Sequence, residues 1–169
     1  MKIKKLTQMA LLTAIALTIF MLEAQIPAPV PTPGIKLGLS NIVTLFAVFV
    51  LGGRDASAIL FARVFWGAVF SGQFSTVFYS AAGGFLALLT AIGLKQILTA
   101  NQFWVAGCLG AIAHSVGQMT VAVLMTDTPS LLIYLPVMIL CSVITGMFTG
   151  LCAQLLVNRG KNLWKTFLK

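Results

Sequence analysis

The chain has 169 residues, of which 59% are hydrophobic and only 8% charged, with a mean hydropathy of +1.02 and a net charge of +8. Soluble domains carry roughly one-quarter charged residues, so this composition excludes a soluble globular fold. Uncharged runs at 6–22 and 37–53 are 17 residues each, and those at 64–94, 96–126 and 128–158 are 31 each. A helical span of a bilayer needs about 17–25 such residues, so the expectation is one all-α integral membrane domain over 1–169, a bundle of six transmembrane helices.

The first helix is predicted over about 5–23. Lys2, Lys4 and Lys5 ahead of an apolar run resemble a signal peptide, but the run is longer than a usual signal core and the rest of the chain is itself apolar. An uncleaved first helix is therefore expected. Its Ala10-x-x-x-Ala14 spacing permits close helix approach, within the bundle or to another subunit. A loop over 25–38 follows, with Pro27, Pro29, Pro31 and Pro33, then Gly34 and Lys36. Proline fixes φ and removes a backbone donor, so this segment reads as an extended connector with a turn at Pro33-Gly34. It is either a binding lid or a stiff spacer.

The second helix is predicted over 39–51, closed by Gly52-Gly53-Arg54-Asp55, and the third over 56–70. Ser71-Gly72-Gln73 turns the chain into a fourth helix at 75–94, and a polar connector over 95–102 leads to a fifth at 103–125. Thr126-Asp127-Thr128-Pro129 breaks the last run, with a sixth helix over 130–157 kinked at Pro136. With the N-terminus inside, the inner segments hold Lys2, Lys4, Lys5, Arg54, Lys95, Arg159, Lys161, Lys165 and Lys169. The outer ones hold Lys36 and Asp127, with Glu23 at the outer end of the first helix. This positive-inside pattern predicts cytoplasmic N- and C-termini and an outward proline loop. The basic charge is thus a topology signal, and no nucleic-acid partner is expected.

Two ionisable residues fall inside the apolar runs. Arg63 lies nine residues after Arg54, about 14 Å deep in a core ~30 Å thick, and His114 lies thirteen before Asp127. Buried charge is costly, so each reads as a group facing the bundle interior. No carboxylate lies inside a run, since Glu23, Asp55 and Asp127 sit at ends, so Arg63 is expected to be unpaired and to favour an anionic ligand. Arg63, Gly67 and Ser71 share one helix face, and Gly110, His114 and Gln118 another. Phe65, Trp66, Phe70, Phe74, Phe78 and Tyr79 are read as mostly lipid-facing, with the remainder lining an apolar pocket. Gly83-Gly84 with Ala87, and Gly146-x-x-x-Gly150, mark close helix contacts. Cys108, Cys141 and Cys152 have no disulfide or metal spacing, and there is no phosphate-cradling loop, paired carboxylate or His/Cys cluster. No catalytic residue, metal or cofactor is expected.

The short first helix with its paired alanines, and the proline loop leading into Pro33-Gly34-Ile35-Lys36-Leu37-Gly38-Leu39-Ser40-Asn41, resemble the substrate-binding S-components of energy-coupling factor (ECF) transporters. More closely they resemble the Gx transporter group, also known as heptaprenyl diphosphate synthase component I. The segment from Arg63 to Gly84, with Ser71-Gly72-Gln73-Phe74 and Ala81-Ala82-Gly83-Gly84, is similar to the same group. The resemblance implies a plasma-membrane subunit of a bacterial importer. It would capture a small solute (a vitamin, cofactor or isoprenoid or quinone precursor) and dock on a membrane coupling subunit with two cytosolic ATPases. It assigns Ala10 and Ala14 to docking, Pro33, Gly34 and Lys36 to the gate, and Asn41 to the pocket. With the residue-level reading, the candidate substrate-binding set is Lys36, Asn41, Arg63, Gln73, Tyr79, His114 and Gln118. The synthase name conflicts with the chemistry, because holding Mg²⁺ on a diphosphate takes clustered carboxylates and only three scattered acids are present. The alternatives are an accessory membrane subunit of prenyl diphosphate or menaquinone synthesis, or a subunit of a quinone- or flavin-linked redox complex.

Overall fold

The computed structural model describes residues 3–26, 35–72, 74–99 and 102–160. Among these the fold is all helical: α1 Ile3–Glu23, α2 Asn41–Val50, α3 Gly53–Ser71, α4 Ser75–Lys95, α5 Phe103–Thr126, a 3₁₀ segment Pro129–Tyr134 and α6 Leu135–Arg159. Four helical stretches, α1, α4, α5 and Pro129–Arg159, are long and apolar enough to cross a membrane. Large apolar side chains such as Phe61, Phe85, Leu109, Leu140 and Phe148 are exposed on the outer faces, an arrangement that fits a lipid surround. The length and composition of the helices thus fit a membrane protein.

Two expected elements differ. The second helix was expected to span 39–51, but α2 has 10 residues, about 15 Å of rise and half a bilayer core. Gly38 takes φ +81° and the backbone through Ser40 is still turning, so the helix starts only at Asn41. At its other end only Leu51 and Gly52 separate α2 from α3, because Gly53-Arg54-Asp55 is already helical. The sixth helix was expected to begin at 130 and kink at Pro136. Instead Pro129 opens the 3₁₀ segment and Pro136 sits in the first turn of α6, where its missing N–H costs no hydrogen bond.

The short α2 is the hub. Val43, Thr44, Leu45, Phe46, Ala47 and Val48 are all buried in succession, so the helix is covered on every side. It touches α1, α3, α4, α5 and α6. Val43, Leu45, Ala47 and Val48 form the main core with Ala16 of α1, Ile59, Leu60 and Val64 of α3, and Leu88 and Ala91 of α4. Lys95 donates to the Val48 carbonyl at 2.7 Å, satisfying one of the open acceptors at the end of α2. Lys5 of α1 pairs with Asp55 of α3 at 2.8 Å.

α5 lies between α4 and α6, and small residues set how closely. A Cβ at Gly146 would stand 2.6 Å from the Gly107 carbonyl oxygen and 2.8 Å from the Ala111 Cβ. One at Gly150 would stand 2.6 Å from the Trp104 Cα. The Gly146-x-x-x-Gly150 pair therefore packs inside this bundle against α5. Gly146→Ala should cost about 1–3 kcal/mol through forced separation of the two helices. Gly93→Ala, where a Cβ meets nothing within 4 Å, should stabilise by up to about 1 kcal/mol through helix propensity. Thermal melts of the two variants in detergent check the pair, and equal effects would contradict the backbone contact.

Candidate functional site

The site forms where the chain returns from the proline loop into α2. Glu23, the last residue of α1, is buried, and its carboxylate accepts the backbone N–H of Gly38 and that of Ser40, the latter at 3.4 Å. These N–H groups precede α2 and have no intrahelical acceptor, so the carboxylate performs the capping that Ser40 would otherwise supply. The Ser40 side chain makes no cap hydrogen bond; its hydroxyl oxygen accepts from Nη1 of Arg63 instead. One polar chain thus runs from α1 through the loop to the middle of α3.

Arg63 was expected to be unpaired because Glu23 sat at a span end, and among the described residues no carboxylate forms an ion pair with it. The structure turns that end inward, and the Glu23 carboxylate lies close enough to act electrostatically on both Arg63 and Lys36. Lys36 is half-buried, with its ammonium 3.4 Å over the centroid of the Phe20 ring, and the Arg63 guanidinium stands 5.9 Å from the same centroid. Burial pushes the Lys36 ammonium below the ordinary lysine range, with Glu23 opposing that shift and Arg63 adding to it. The Lys36 backbone N–H donates to the Gln118 side-chain oxygen at 3.4 Å, joining α5 to the loop.

Gly38 holds the far side together. A Cβ there would stand 2.9 Å from both the Asn41 side-chain nitrogen and Cδ2 of His114, and its φ of +81° disfavours any other residue. His114 is buried against Gly83, and Gly84 lies beside it. Gly83 is therefore what lets His114 lie against α4, while a Cβ at Gly84 would stand 2.7 Å from Cδ1 of Leu60 in α3 and at an ordinary contact of 3.4 Å from Nη2 of Arg63. Several buried polar atoms here have no hydrogen-bond partner among the described residues: Nε and Nη2 of Arg63, both amide atoms of Asn41, and the Thr44 hydroxyl. Asn41 and Thr44 line a cavity of about 20 Å³ among small residues of α4, α5 and α6, including Ala87, Gly110 and Gly146.

Of the candidate set, Lys36, Asn41, Arg63, His114 and Gln118 come together. Tyr79 is buried elsewhere, in a second cluster with Ile35, Met119, Ala122 and Met138. Gln73, and Pro33 and Gly34 of the expected gate, lie outside the described residues. Phe65, Trp66, Phe70, Phe74 and Phe78 are all exposed, so they line no internal pocket. Glu23, Ser40 and Phe20 were missed by sequence reasoning. The available sign was Glu23 itself, the one acid bordering the apolar run of α1, facing a loop that must fold back. Ala10 and Ala14 are exposed and line a groove of about 580 Å³ between α1 and α3, with Leu6, Ala62 and Trp66 also on its walls.

A double-mutant cycle tests the Glu23–Arg63 link. Glu23→Ala and Arg63→Met should each destabilise, Glu23→Ala by baring the Gly38 and Ser40 N–H groups and both by removing a compensating charge from the same buried neighbourhood. The double variant should lose clearly less than the sum of the two. Strict additivity in thermal melts would separate the two residues energetically.

A family model described as heptaprenyl diphosphate synthase component I matches residues 12–156. No curated protein and no solved structure matches.

Proposed function

We propose that this chain, which belongs to the heptaprenyl diphosphate synthase component I family, is the solute-binding membrane subunit of an importer of the ECF type. The observation that carries this reading is the polar cluster of buried Arg63, His114 and Gln118 with the covered amide of half-buried Asn41, holding unpartnered donors and acceptors in an otherwise apolar helical bundle. Buried polar atoms are normally satisfied, and several orphans gathered at one place are what a polar ligand would complete. In this reading the chain crosses the plasma membrane with both termini in the cytoplasm. α2 and the loop before it make a half-crossing whose irregular backbone is sheltered by protein, as non-helical backbone at membrane depth must be. The solute enters from outside through the loop over 25–38. The exposed Ala10 and Ala14, on the groove between α1 and α3, form the face for the coupling subunit that carries two ATPases.

The family description favours a second reading, an accessory subunit beside a prenyl diphosphate synthase. Catalysis by this chain is not part of either. Its three carboxylates are spread apart: Glu23 on the loop backbone, Asp55 against Lys5, and Asp127 at the exposed end of α5. A Mg²⁺–diphosphate site takes carboxylates gathered in one place. A redox-complex subunit has no observation in its favour beyond the aromatic content.

Copurification from the native membrane distinguishes the readings: ATPase subunits are expected, and a soluble prenyl synthase in their place would support the second. Replacing Ala10 and Ala14 with Trp should abolish that copurification and leave the melting temperature of the isolated subunit within about 2 °C, because both positions are exposed. Unfolding of the variant would instead place the pair in the bundle's own packing. For orientation, a cysteine at exposed Ser130 should react with an impermeant thiol reagent on intact cells, and one at exposed Gln96 should not. The reverse pattern inverts the topology.

A further inference from the structure

Arg63 presents its donors unequally. Nη1 is committed to the Ser40 hydroxyl, whereas Nε and Nη2 have no partner among the described residues, and the side chain is only 2% exposed. Nε and Nη2 lie on one side of the planar guanidinium, and their N–H bonds run parallel in the same plane. That edge matches two oxygens of one planar anion. A tetrahedral anion can use it too, so shape alone does not select the ligand. Charge does.

Among the described residues, Glu23, Lys36 and Arg63 are the charged side chains gathered at this site, with every other charge near the end of a helix away from it. Glu23 offsets one of the two cations, and it cannot withdraw without releasing the N–H groups of Gly38 and Ser40. The site is left with a surplus of one positive charge. A solute with one negative charge brings the buried cluster to neutrality. A second negative charge would be buried uncompensated, at a cost that rises steeply in a low dielectric. Beyond Arg63 the unpartnered groups at the site are the Asn41 amide and the Thr44 hydroxyl on the first turn of α2, and Nδ1 of His114. Asn41 and Thr44 suit a neutral donor–acceptor group and bring no positive charge to offset a second anion.

We infer that this site, taken as the solute pocket on the reading above, recognises a monoanionic carboxylate seated on the Nε/Nη2 edge of Arg63, and discriminates against phosphomonoesters and diphosphates. The discrimination follows from Glu23, whose role in fixing the loop makes the charge surplus a property of the fold. A prenyl diphosphate, with at least two charges, is the wrong solute for this arrangement.

The test uses the full chain in detergent at pH 8, with benzoate, phenyl phosphate and benzamide as probes of matched ring and differing charge. A phosphomonoester is a dianion at that pH. Benzoate at ten times its dissociation constant should raise the melting temperature by about 3–5 °C. Phenyl phosphate and benzamide should leave it unchanged. Because Arg63→Met alone strands Glu23, the control is the Glu23→Gln/Arg63→Met double variant, which keeps the local charge balance and should lose the benzoate shift. Lys36→Met, which removes the surplus charge and leaves the Arg63 edge in place, should weaken benzoate at least threefold. No benzoate shift, a phenyl phosphate shift as large, or a shift surviving in the double variant would each overturn the assignment. The result stands apart from copurification: ATPase partners without benzoate protection would leave the importer reading and remove this substrate class. Benzoate protection without ATPase partners would do the opposite.

Discussion

The buried Glu23 carboxylate is the constraint on which the rest depends. A chain that re-enters an apolar bundle as non-helical backbone brings N–H groups with it, and each one left bare costs about 1–3 kcal/mol. Glu23 meets two of them, at Gly38 and Ser40. A charge so buried needs its own compensation, which Arg63 and Lys36 supply in the same neighbourhood. The loop, the start of α2 and the middle of α3 are thus one electrostatic unit. The unit also explains why α2 is short. Ten residues suffice once the segment before it is held at depth by a carboxylate in place of another turn of helix.

Packing then follows from the shortness of α2. A half-length helix covered on all sides is a wedge, and the longer helices close around it with small residues at the contacts. Gly83 and Gly84 open α4 to His114 and Leu60, while Gly107, Gly146 and Gly150 bring α5 and α6 to backbone contact. The remaining space is a cavity of about 20 Å³, enough for roughly one water molecule. A solute larger than that is admitted only by movement of the walls. The wall with the fewest helical hydrogen bonds is the backbone from Ile35 to Ser40, held by Glu23 and Gln118.

Much of this was legible in the sequence, for stated reasons. Uncharged runs, divided at Ser71-Gly72-Gln73, mark the apolar helices because an apolar bundle tolerates few charges, and Arg63 and His114 stood out for the same reason. Asn41, Lys36 and Gln118 also proved to share the site. The short α2 was not legible. Leu37 to Gly53 is a continuous uncharged run, and apolar composition does not distinguish a helix from extended backbone buried in protein. The proximity of Glu23 to Arg63 was hidden too. The two lie forty residues apart in sequence, and a charge at the end of a run reads as interfacial unless the return path of the loop is known. Pro136 misled because a helix-start proline and a kinking proline look alike until the start is located.

α1 carries two features that the sequence presented separately. Its last residue holds the loop backbone, and its exposed Ala10 and Ala14 border the groove with α3. Thirteen residues of straight helix, about 20 Å, separate Glu23 from Ala10. α1 is fastened at both ends, by Glu23 at one and by the Lys5–Asp55 pair at the other. Between them it is lightly buried, with only Ala16, Phe20 and Glu23 fully covered. Whatever shifts the loop must either break the Glu23 contacts, at the cost of a bare carboxylate and bare N–H groups, or carry the end of α1 along. The Glu23 contacts thus join the loop backbone to the same helix that borders the groove with α3.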